Sequence, residues 1–226
     1  MDFALSRPII SVIKDGAAGY GGNQRLFDDP TMRGYGCGVI GGADLLFYLA
    51  LKCPEYATPY TGRPETNEVS FEQYERLCSR LRRDFMPIIP HFGKTGPALA
   101  VGLNLYFSRY NIPLRARWCA SHGKIFERME EMLRADLPVI FSVGANFPNF
   151  FGKHRVKLYT RSDDGVMRPT ASTRGHFMTV TGLDADFIRV SSWGSEYFIS
   201  RSEYLGYTKR YGSTVTSNIM YLTAKI

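Results

Sequence analysis

The run GVIGGADLLFYLAL, from Gly38 onward, places apolar residues at Val39, Leu45, Leu46 and Leu49 and carries no turn residue after Gly42. Its length suits a buried helix better than a strand, with Cys37 at the helix N-terminus. SFEQYERLCSRLRRDF predicts a further helix, with Ser70 as N-cap and Gln73 as its capping-box partner. Between the two, CPEYATPYTGRPETNEVS reads as a loop. TGPALAVGLNLYFSRYN predicts another helix ending near Asn111 and Pro113. KIFERMEEMLRAD is amphipathic, its apolar side carrying Ile125, Met129, Met132 and Leu133.

Beyond Asp136 the pattern changes. LPVIFSVGA, GHFMTVTGLDA, FIRVSSWG and EYFISRSEY are short β-rich runs, and SNIMYLTAKI reads as a last strand. Helices crowd the first half and strands the second. That order predicts an α+β protein of one domain, with a helical lobe over about 31–135 facing a sheet lobe over about 136–226 across a cleft.

Composition narrows the class without naming an activity. A chain of 226 residues with 44% hydrophobic and 22% charged residues is ordinary for a globular domain. MDFALSRPIISVIKDG lacks the basic and apolar regions of a signal peptide, and no apolar run reaches membrane-spanning length. The expected location is therefore the cytoplasm, with the four cysteines as reduced thiols. No cysteine or histidine spacing implies a metal, and nothing implies an organic cofactor. The net charge of +7 is spread over RLCSRLRRD, RARW and KHRVK. It suggests modest attraction to acidic partners, but no nucleic-acid-binding signature accompanies it.

Cys37 lies between glycines where a helix begins, and the unpaired N–H groups and dipole there favour a thiolate. A lone cysteine is more often a small buried hydrophobe, so the reading needs a partner. His176 follows Gly175 and opens the strand HFMTVTGL, at a sheet edge. The other histidines are less suited: His91 sits in a proline-flanked loop, His122 precedes a glycine, and His154 lies between Lys153 and Arg155. A helix-start cysteine and a strand-start histidine meeting across a cleft form the nucleophile and base of a cysteine hydrolase.

These pieces resemble the papain-like superfamily, and more nearly the bacterial peptidases that cut double-glycine leaders from bacteriocins. The likeness rests on Gln24, GYGCGVIGGADLLFYL, LPVIFSVG, RGHFMTVTGL and FIRVSSWG, and leaves about 53–136 unmatched. It implies a papain-like fold, with an N-terminal catalytic helix packed against a mainly antiparallel sheet, and cleavage of a peptide or protein substrate. It casts Gln24 and the Cys37 N–H as donors to the oxyanion, each commonly worth about 3 kcal/mol. RLFDDPTMRGY would loop out, because the interval from Gln24 to Cys37 is longer than in papain. At the third position the family carries Asn or Asp. Here Trp193 and Gly194 align with its Ser-Trp-Gly, which places Ser191 as the group that orients His176, with Ser192 beside it. Alternation would put Ser191 and Trp193 on one face. Asp184 and Asp186 are the other acids within reach along the chain. The missing Asn or Asp also fits a silent domain kept for peptide or protein binding, and the same dyad serves acyl transferases.

Overall fold

The computed structural model describes residues 2–225. In chain order it holds β1 (Phe3–Ala4), β2 (Ser11–Lys14), β3 (Ala17–Ala18), α1 (Pro30–Tyr35), α2 (Cys37–Lys52), β4 (Glu68–Ser70), α3 (Phe71–Asp84), α4 (Gly96–Arg109) and β5 (Leu114–Trp118). The chain continues through α5 (Ile125–Arg134), β6 (Val139–Val143), β7 (Val156–Arg161), β8 (Met167–Thr173), β9 (His176–Leu183), β10 (Phe187–Ser192), β11 (Ser195–Ser200), α6 (Arg201–Tyr211) and β12 (Ile219–Ala224). No helix among the described residues is long and apolar enough to cross a membrane.

Nine strands form one antiparallel sheet in the order β5-β12-β6-β9-β10-β11-β7-β8, with β1 paired to β9. A small sheet, β3-β2-β4, lies apart from it. Every residue of β6 and β9 is buried, so both faces of the sheet centre are covered. Alternation divides their side chains between two cores. Ile140 and Phe177 join α2, α3 and α4 in one core, while Val139, Phe141, Met178 and Val180 join α5 and α6 in the other.

α2 follows from its sequence as expected. Every residue from Gly38 to Leu51 is buried, so the helix needs no polar stripe. The Ser70 cap forms, its Oγ accepting from the Gln73 N–H. The Gln73 amide does not reach back but donates to the Thr61 carbonyl at 2.9 Å, so only half of the capping box exists.

Helices and strands do not sort at residue 135. β5 lies ahead of residue 135, inside the span expected to be helical, and pairs with β12 at the sheet edge, with Ala116 buried and Arg115 and Arg117 exposed. α5 packs on the sheet through Ile125, Met129 and Leu133. The run EYFISRSEY divides at Ser200, whose Oγ accepts from the Glu203 N–H and starts α6. RLFDDPTMRGY does not loop out freely. Asp29 caps α1, which hands over to α2 at Gly36.

Candidate active site

Cys37 is the first residue of α2 and His176 the first of β9. Both line a narrow space of about 10 Å³ together with Gln24 and Asp44. Both also face a cleft of about 430 Å³ whose lining includes the exposed rings of Phe92 and Phe150. No hydrogen bond joins the Cys37 sulfur to the His176 ring.

The His176 ring is held from two sides. Its Nε2 lies 2.8 Å from Ser192 Oγ, and the Trp193 indole stacks on it at 4.6 Å between centroids. Trp193 has φ 51 and Gly194 φ 75, the two-residue turn with positive φ that joins antiparallel strands. A tryptophan in that region is uncommon and strained by about 1 to 3 kcal/mol. The turn delivers the indole to the imidazole.

Ser191 does not orient the ring. Its Oγ donates to the Tyr20 carbonyl at 2.7 Å, and Ser192 stands where Ser191 was expected. The cause is a bulge. Ile188 pairs with Leu183 and Arg189 with Gly182, but Val190 then pairs with Val180. Without that slip Ser191 would fall opposite Val180, on the same face as His176. The slip moves Ser191 opposite Thr179 and gives Ser192 the histidine face. Asp184 and Asp186 are also excluded as the orienting acid. They turn the chain at the far end of β9, where Asp184 Oδ1 accepts from the Asp186 and Phe187 N–H groups.

Gln24 is buried and lines the same narrow space as Cys37 and His176. Its Nε2 donates one hydrogen to the Arg33 carbonyl at 2.8 Å, which fixes the amide and leaves the second hydrogen for another acceptor. Among the described residues the Cys37 N–H bonds to no backbone carbonyl, as expected in the first turn of a helix.

The segment GYGG ahead of Gln24 is threaded through a tight gap. Gly22 N–H donates to Asp44 Oδ1 at 3.0 Å, and Gly21 N–H to the Ile10 carbonyl at 2.8 Å. A Cβ on Gly21 would lie 2.1 Å from Ser191 Oγ, and one on Gly22 2.0 Å from Tyr74 Oη. Glycine alone fits both places.

Asp44 is the group that the sequence reading missed. It lies two turns after Cys37 on α2, 1% exposed, and accepts from Gly22 N–H, from Tyr74 Oη at 2.8 Å and from Thr179 Oγ1 at 3.4 Å. One carboxyl thus ties α2, α3, β9 and the Gln24 segment together. The available signal was a single acid inside an otherwise apolar helix. Burial pushes it up to about 7, against the lowering pull of those bonds.

The resting charges differ from the expected thiolate. Burial raises the Cys37 thiol, although N–H groups of Phe177, Gly38 and Cys37 favour the thiolate. Cys37 keeps some surface open, and its rise is smaller than that of the wholly buried Cys78. Burial, and secondarily the Arg25 guanidinium, push the His176 ring down to about 3. The pair therefore rests as thiol and neutral imidazole. The other histidines are engaged elsewhere: His91 with Tyr35 Oη, His122 with the Ser217 carbonyl, and His154 against the Tyr211 ring.

The chain matches no family model, no curated protein and no solved structure.

Proposed function

We propose that the chain is a cysteine hydrolase of papain-like design that cleaves a peptide or related amide bond. The observation that carries the reading is the convergence of Cys37, His176 and Gln24, from three separate elements, on one cleft. Ser192 accepts from Nε2–H, which leaves Nδ1 as the basic nitrogen of the ring. When a substrate carbonyl enters the cleft, Nδ1 takes the Cys37 proton and the sulfur attacks the carbonyl carbon. The oxygen gains charge and is met by the free Gln24 N–H and the Cys37 N–H. The imidazolium then protonates the leaving amine, and water attacks the resulting thioester with His176 again as base. A hydroxyl at the third position orients the ring without the stabilisation that a carboxylate gives the imidazolium.

The neutral resting pair and the serine at the third position also favour a second reading, a silent domain that binds peptides. Incubation with a mixture of peptides, followed by mass spectrometry, separates the two. New termini that vanish with Cys37→Ala support hydrolysis. Binding of peptides without any new termini supports the silent domain.

A further inference from the structure

A larger cavity, about 640 Å³, is lined by Trp193, the residue that stacks on His176, but not by His176 itself. Lys14, Arg25 and Arg33 bring positive charge to its lining, and Asp15 and Asp28 bring negative charge. Two of the cations hold the chain. Lys14 Nζ donates to the Leu26 carbonyl, and the Arg33 guanidinium donates to the carbonyls of Phe27 and Asp28. Their charges balance the two carboxylates of the cavity.

Arg25 is different. It is exposed, and among the described residues its guanidinium has neither a carboxylate partner nor a hydrogen bond. It lies 4.7 Å over the Trp193 ring, which itself stacks on His176. Stacking on an indole fixes the plane of a guanidinium while leaving its N–H edge free. An unpaired guanidinium held over an indole beside a cavity is suited to bidentate capture of a carboxylate. Trp193 lines this cavity and the narrow catalytic space alike, and Asn23 and Gln24 are neighbours in the chain that line one and the other. A chain lying across Cys37 and continuing past Trp193 would therefore run into the cavity.

We infer that this cavity is a substrate subsite on the Trp193 side of the catalytic pair, where Arg25 reads a carboxylate of the peptide. The inference rests on the peptide-hydrolase reading for its role in turnover, but binding can be measured without turnover. The probe is a pair of tripeptide amides, Gly-Asp-Gly and Gly-Asn-Gly, titrated into 15N-labelled protein. The readout is the indole N–H resonance of Trp193, assigned by its loss in Trp193→Phe. The aspartyl peptide is expected to shift the resonance at a concentration at least fivefold lower than the asparaginyl peptide. Arg25→Gln should abolish that difference, and Arg25→Lys should retain part of it. Equal titration by both peptides, or a difference that survives Arg25→Gln, would overturn the inference. The mixture of peptides supplies an independent readout. Cleavage should favour Asp or Glu at one fixed distance from the cut bond, and Arg25→Glu should turn that preference toward Lys or Arg. An indole preference with no cleavage sinks the hydrolase reading and leaves the subsite, whereas cleavage with equal indole titrations sinks the subsite and leaves the hydrolase.

Discussion

Two adjacent serines, Ser191 and Ser192, do unlike work because one strand slips by a residue. Ser192 Oγ sits at the His176 ring, while Ser191 Oγ pins the Tyr20 carbonyl and so the segment that carries Gln24. Ser192→Ala should lower kcat about fivefold, the value of one neutral hydrogen bond of about 1 kcal/mol, with KM little changed. Ser191→Ala should instead lower the unfolding free energy from urea denaturation by about 1 to 2 kcal/mol, since a buried carbonyl loses its donor. Steady-state kinetics and denaturation of the two variants check the split; the reverse pattern would restore Ser191 to the ring. At this scale the sequence carried much of the candidate site. Cys37, His176 and Gln24 were legible because a glycine-flanked helix start, a strand start and an upstream glutamine are local features. Ser192 was not, since a bulge depends on pairing between strands. Asp44 was not, because its importance lies in partners 22, 30 and 135 residues away along the chain.

Among the elements, α2, α3, α4 and α5 were readable from apolar spacing and from the Ser70 cap. β5 was not, because an edge strand buries one residue in its middle and resembles a loop. α6 was not, because its buried residues are tyrosines and a threonine rather than an aliphatic stripe. The segment 19–24 belongs to no long element, yet its path decides where the Gln24 amide sits. Gly21→Ala adds a Cβ against Ser191 at a residue with φ +75, so the segment must shift. Gly16→Ala has a nearly equal φ, +77, but open space around the new carbon. The second should cost about 1 kcal/mol for backbone conformation alone. The first should cost clearly more and abolish turnover. Equal losses in the two variants, measured by chemical denaturation and peptide cleavage, would remove the argument for a steric gap.

For the whole molecule, the sheet lies between two cores, and Cys37 and His176 come together where α2 meets β9. Asp44 lies at that junction and links its charge to global stability. In the unfolded chain it ionises near 3.8, and in the folded protein near 7. Between those values the folded state holds a proton that the unfolded state has lost, so its contribution is full below about 4 and falls as pH rises through about 7. Asp44→Asn has no such dependence. The variant should therefore gain about 2 to 3 kcal/mol relative to the parent between pH 5 and pH 8, at 1.36 kcal/mol per unit. His176 acts in the opposite sense, its contribution being lost as pH falls from 6.5 toward 3, and it cancels in the comparison. Urea titrations at the two pH values measure the difference; a constant gap would mean that Asp44 stays ionised. The most direct measurement concerns the covalent step itself: acid quenching during incubation with the mixture of peptides, followed by mass mapping of Cys37. The proposed mechanism predicts a hydroxylamine-labile acyl group on the Cys37 sulfur, absent from His176→Ala. New peptide termini with Cys37 never acylated, or the same termini from Cys37→Ala, would contradict it.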